Sequence, residues 1–215
     1  MFSITITIIV ITCLVSFAAF NNEKVMEDML FWPSEINSRK QYYRFFSYGF
    51  IHLNLPHIIF NMFTLYSFGE RLEKYTFAQY EIFGTHAKLF YLVLYLTAIV
   101  VSVVPDYIIN KNNPSYRALG ASGAVSAILF ACIILDPKLS LYILIIPFPI
   151  PGYIFGILYL VYSAYMAKRG GTNVGHGTHF TGAVYGLLFT IIATKLYSDY
   201  DAVQTFFRII FNHQL

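Results

Sequence analysis

Charge is scarce in this 215-residue chain: Asp, Glu, Lys and Arg together make up 12% of it, about half the share usual in soluble domains. So few charges exclude an ordinary water-solvated globule. The 14 basic and 11 acidic residues leave a net charge of only +3, scattered rather than clustered, which excludes a nucleic-acid surface. Cysteine is nearly absent. Cys13 and Cys132 both sit in apolar runs, so neither a disulfide framework nor a zinc site is expected. No repeat, low-complexity tract or long linker breaks the chain, and 1–215 reads as a single domain. What fills it instead is apolar: 57% hydrophobic and 19% aromatic residues describe a multi-span membrane protein whose rings face lipid and headgroups.

Six apolar segments follow, at about 4–20, 55–69, 89–104, 121–135, 152–167 and 178–194. The first lacks the basic leading region of a signal peptide and is read as a retained span. The connection from Asn21 to Gly49 carries Trp32, Tyr42, Tyr43, Phe45 and Phe46, suited to the headgroup level. Asn54 and Pro56 mark a helix start for the second span, and Glu70, Arg71, Glu73 and Lys74 end it. Pro105 and Asp106 close the third. The fourth ends at Asp136-Pro137. The stretch from Leu139 to Pro151, interrupted by Pro147, Pro149 and Pro151, reads as a re-entrant or surface loop. Lys168-Arg169-Gly170-Gly171 reads as a flexible connection. Residues 202–211 place Val203, Phe206, Phe207, Ile210 and Phe211 opposite Gln204 and Arg208, the pattern of an interfacial helix.

Polar residues inside the spans narrow the chemistry. Spans two, four and six cross in the same direction, and each carries its polar residues near its start: His57 and Asn61, one turn apart, then Ser122, then His179. They therefore share a depth on one side. Such groups are costly in lipid unless paired or facing a wet cavity. Ser122 lies in Leu119-Gly120-Ala121-Ser122-Gly123-Ala124, where little bulk covers its hydroxyl and the first helical turn offers free N–H groups. Small residues in that pattern also serve helix packing, with the serine as interhelical glue.

Peptide hydrolysis in a membrane needs a metal, paired carboxylates or an activated nucleophile. No H-E-x-x-H sequence occurs, and no Asp or Glu lies within a span. Asp136 stands at the far end of the fourth span. A serine with one histidine and no acid remains: His179 as base for Ser122, with His57, Asn61 and the Ser122 N–H facing the oxyanion. Gly182 and Gly186 share the face of His179 and let the sixth helix press on the fourth. His176 competes for the role of base, but the pattern leaves it in a loop among Gly175 and Gly177, which would hold it less firmly.

Gly120-Ala121-Ser122-Gly123, the run His52, His57 to Asn61, and His179 to Gly186 together resemble the motifs of the rhomboid family of intramembrane serine proteases. The resemblance covers Arg44 to Gly186. It implies an all-α membrane protein, a compact bundle of six transmembrane helices, with Ser122 and His179 as catalytic dyad, His57 and Asn61 at the oxyanion site, and no metal or cofactor. It implies transmembrane protein substrates cleaved in or near their helices, within the bilayer, and a site open to the extracytoplasmic side. The plasma (inner) membrane of a prokaryote is the expected location.

Arg44 and Glu73 resemble structural residues of the family. Tyr43 departs from its W-R pair, and Ser126 stands where some members carry a tyrosine packed on the catalytic histidine. Lys and Arg do not favour one set of loops, so orientation rests on the resemblance. An inactive client-binding relative would lack Ser122 or His179. A transporter would spread polar residues through the full depth of its spans.

Overall fold

The computed structural model describes residues 3–142, 148–170 and 175–211. The chain is mostly helical: α1 (Ile4–Phe20), α2 (Glu23–Met29), α3 (Pro33–Arg39), α4 (Arg44–Ser47), α5 (Leu55–Arg71), α6 (Ala87–Ser102), α7 (Val104–Asn110), α8 (Ser122–Leu135), α9 (Gly152–Arg169), α10 (His176–Tyr197) and α11 (Ala202–Phe211). An antiparallel pair, β1 (Ser140–Leu141) with β2 (Ile150–Pro151), closes the connection between α8 and α9.

The helix α8 is the hub. All of its residues from Gly123 to Leu135 are buried, which is what a helix apolar on every side requires. α5, α6, α9, α10 and α11 pack around it, α10 most extensively. The outer faces present Leu14, Phe60, Phe63, Leu188 and Leu196 to the surroundings.

A helix stands at each expected span, but lengths differ. By length and apolar composition, two described stretches suffice alone to cross a bilayer: 84–110 and 176–197. α1 and α8 are apolar but run only 17 and 14 residues, whereas about 20 are needed.

Several boundaries correct the sequence reading. The charges after Gly69 do not stop the second helix: it runs to Arg71 and continues as a π-turn over Leu72–Thr76. There the buried Glu73 carboxylate accepts from the N–H groups of Ile4 and Thr5, both at 2.9 Å, and from the hydroxyl of Thr5 at 2.8 Å. It thereby caps α1. Pro105 does not terminate a helix; it opens α7 from the first turn, where its missing N–H costs nothing. Lys168 and Arg169 belong to the last turn of α9 rather than to the connection. Gly171 and residues 143–147, including Pro147, lie outside the described residues.

The 21–49 connection folds into three short helices. Tyr42 and Tyr43, in the turn before α4, and Phe46, on α4, are exposed. α11 has the expected bounds. It turns Phe206 onto the core and leaves Val203, Phe207 and Phe211 exposed.

Candidate active site

Ser122 is the first residue of α8, and His179 lies one turn into α10. Their side chains meet: His179 Nε2 lies 2.7 Å from Ser122 Oγ. The approach depends on glycine. A Cβ on Gly182 would strike the Gly123 carbonyl, and one on Gly186 would strike the Ala127 backbone, so α10 seats directly on the α8 main chain.

His176 is not in a loop. α10 starts two residues earlier than the sequence suggests, making His176 its first residue. It is buried, edge-on to His179 at 6.1 Å between ring centres and to Tyr162 at 5.5 Å. His179 is the histidine that reaches Ser122.

His57, on the first turn of α5, packs against the loop that delivers Ser122. Gly120 has φ of +111°, a conformation that side chains rarely adopt, and a Cβ there would lie 2.8 Å from His57 Cε1. The Leu53 N–H donates weakly to His57 Nδ1, at 3.4 Å, which leaves Nε2 as the protonated nitrogen beside Gly120. Buried His52 sits edge-on behind this ring at 4.9 Å and accepts or donates at Nδ1 with Ser16 Oγ at 3.0 Å. Buried Asn61 lies one turn further along α5, its Nδ2 donating back to the His57 carbonyl at 3.0 Å.

The loop before Ser122 is held from the 21–49 connection. Trp32 Nε1 donates to the Pro114 carbonyl at 3.0 Å, and the Arg117 guanidinium lies 3.9 Å over the Trp32 ring. The Gly120 N–H donates to the Tyr48 carbonyl at 2.9 Å. Arg44, 4% exposed, donates to the carbonyls of Glu27 and Leu30 at 2.7 and 2.8 Å.

Two residues escaped the sequence reading. Asp106 Oδ2 accepts from Tyr116 Oη at 2.9 Å and from Thr178 Oγ1 at 2.7 Å, tying the Ser122 loop to the start of α10. Burial, with the carboxylate beside it, pushes the Tyr116 phenol well above its usual range, so it stays a donor. The signal was present: proline followed by an acid reads as a helix start, not only as a helix end. The second residue is Tyr159 of α9, near-parallel to His179 and bonded to Ser126. Nothing in its spacing distinguishes it from Tyr153, Tyr162 or Tyr165.

Chemically, a hydroxyl bonded to an imidazole nitrogen can lose its proton as it attacks a carbonyl. The first-turn N–H groups of α8 lack partners within their own helix, and the His57 ring nitrogen Nε2 lies beside Gly120; donors of this kind are what a developing oxyanion requires. Among the described residues no carboxylate bonds to His179, and no group of three or more His, Cys, Asp or Glu side chains is arranged to hold a metal ion.

The rhomboid-domain family profile matches residues 39–196. The chain belongs to the rhomboid family, whose members are embedded in membranes. It is 26% identical over 169 residues to the rhomboid protease GlpG of Haemophilus influenzae, covering 78% of each chain. It is 25% identical over 174 residues to the mitochondrial RHOMBOID-like protein 12 of Arabidopsis thaliana, covering 79% of this chain and 51% of that one. Rhomboid-like protein 15 of Arabidopsis thaliana is 33% identical over 121 residues, 53% of this chain and 27% of its own length. The chain thus spans about half or less of the plant relatives and most of the bacterial one.

Proposed function

We propose that this chain is a single-domain, six-span intramembrane serine endopeptidase acting on transmembrane protein substrates. The observation that carries this reading is the 2.7 Å contact between Ser122 Oγ and His179 Nε2, made between two helices whose glycines allow it. In this mechanism His179 takes the hydroxyl proton as Oγ bonds to the scissile carbonyl carbon. The oxyanion is met by the N–H of Ser122, by His57 and by Asn61, whose second amide N–H is available while the first holds the His57 carbonyl. The tetrahedral intermediate breaks its C–N bond, and His179 returns the proton to the leaving amine. A water, deprotonated by the same ring, then bonds to the acyl carbon; the Oγ–C ester bond breaks, releasing the carboxyl product, and His179 returns the proton to Ser122 Oγ.

At 1.5 Å per residue the 14 residues of α8 reach about 21 Å, short of a hydrocarbon core of about 30 Å. With Leu135 at one face of the membrane, Ser122 lies roughly 10 Å inside the other. That depth suits a bond within or next to a substrate helix, and the short helix is a consequence of opening the nucleophile to water there. We assign the protein to the plasma (inner) membrane of a prokaryote, in keeping with its coverage of the bacterial relative.

Purified protein in detergent or liposomes should cleave a single-span reporter, and a fluorophosphonate should label Ser122. Ser122→Ala should abolish both while the protein stays folded, and chelators should leave the rate unchanged. Undiminished cleavage by Ser122→Ala would remove the serine from the mechanism.

A further inference from the structure

We infer that Tyr159 is the positioning residue that holds the His179 imidazole in its reactive plane, and that Ser126 fixes Tyr159 for this purpose. The inference rests on the protease reading above. A base that accepts a proton from one atom and delivers it to another has to keep its ring from rotating between the two. In many sites a carboxylate on the second ring nitrogen does this; among the described residues His179 has none. Its orientation therefore has to come from packing.

Tyr159 supplies the near-parallel packing surface, whereas His176 meets the ring edge-on. Its ring lies 6.5 Å from the His179 ring, with only 24° between their planes, within the range of offset aromatic pairs. The phenol is itself held at its far end. Its Oη lies 2.6 Å from Ser126 Oγ, and its ring packs against tilted Phe130 and Phe155, at 5.4 and 5.6 Å between ring centres. Ser126 is buried, one turn beyond the nucleophile on α8. A buried hydroxyl needs a partner, and here that partner is the tyrosine. α8 thus carries both the atom that reacts and the atom that sets the histidine's neighbour, so the nucleophile and the base are registered to one helix. Position 126 and position 159 supply one phenol between them, from α9 rather than from α8.

The test compares kcat and KM for a fluorogenic single-span peptide in micelles, with the fluorophosphonate labelling rate of Ser122 as a second readout. Tyr159→Leu is expected to lower kcat and labelling about tenfold, with KM within about twofold, the scale of a slightly misplaced catalytic group. Ser126→Ala and Tyr159→Phe should each lower kcat by a smaller factor, and the double variant should be no slower than the slower single one, because both remove the same bond. Ser126→Tyr placed in Tyr159→Ala should restore at least half of the wild-type kcat. A Tyr159→Leu enzyme with wild-type kcat overturns the inference. So do independent, multiplying effects of Ser126→Ala and Tyr159→Phe, which keep both rings and so remain readable even where Tyr159→Leu fails to fold. The two readings fail differently: a wild type that neither cleaves nor labels rejects the protease itself, whereas an active wild type matched by its Tyr159 variants rejects only the positioning role.

Discussion

Phe31 and Ala118 exchange both backbone hydrogen bonds, each 3.0 Å long, as an isolated antiparallel bridge. The bridge joins the 21–49 connection to the loop that ends at Ser122. The position of the nucleophile therefore depends on a segment that carries none of the proposed chemistry. Arg44 sits behind the bridge, satisfying the carbonyls of Glu27 and Leu30, and the Ser47 hydroxyl donates to the carbonyl of Met29 at 2.9 Å.

Arg44→Met should leave those carbonyls without their donor, at a cost of about 2 kcal/mol. Thermal unfolding in detergent should report the loss, and cleavage should fall at temperatures where the fold persists. An unchanged midpoint would show that the brace is dispensable.

Asp106 couples the other two pieces of the site, through Tyr116 and Thr178. Asp106→Ala should lower kcat about tenfold through small displacements of both helix starts, with KM little changed. Asp106→Asn, which still accepts hydrogen bonds, should recover part of the rate.

The contact of α10 with α8 tolerates no side chain at Gly186. Gly186→Ala should push the helices apart, costing about 1–3 kcal/mol as overpacking does, and should suppress cleavage by stretching the Ser122–His179 contact. Gly156→Ala is the control: its Cβ would meet Phe130 at an ordinary 3.5 Å, and alanine favours a helix interior by about 1 kcal/mol. That variant should be at least as stable as the wild type.

Glu73 predicts a dependence on pH. Burial alone would raise its carboxyl, but the N–H groups of Thr5 and Ile4 and the hydroxyls of Thr5 and Ser3 more than offset this and hold it below the ordinary glutamate value. A carboxyl depressed in the folded state stabilises the fold above its unfolded value, and that contribution is lost as pH falls through the folded one. Stability should therefore decline below about pH 5. Glu73→Gln should be less stable at neutral pH, by about 1–3 kcal/mol, with a flatter acid limb. Parallel acid limbs for the two proteins would refute the assignment.

How much of this was legible beforehand follows from the range of the forces involved. Helices at the six apolar segments and the family's three motifs could be read directly, because hydropathy and local spacing are properties of consecutive residues. The packing face of α10 was readable too, since Gly182 and Gly186 recur at helical spacing. Helix ends were less so: Pro105 and the charges after Gly69 are compatible with either stopping a helix or starting the next one, and only the neighbours decide. His176 entered the helix for the same reason.

Most contacts that support the site were not legible in the sequence, although Arg44 and Glu73 were marked there as structural. Asp106 reaching Thr178, Phe31 pairing with Ala118, and Tyr159 lying beside His179 are contacts between residues far apart in the chain, drawn from helices whose order around α8 no local pattern encodes. Composition and motif determined that this is a membrane-embedded rhomboid protein; the tertiary structure decided which side chains hold its serine and histidine together, because that depends on how helices are arranged about a common core and not on what any one of them contains.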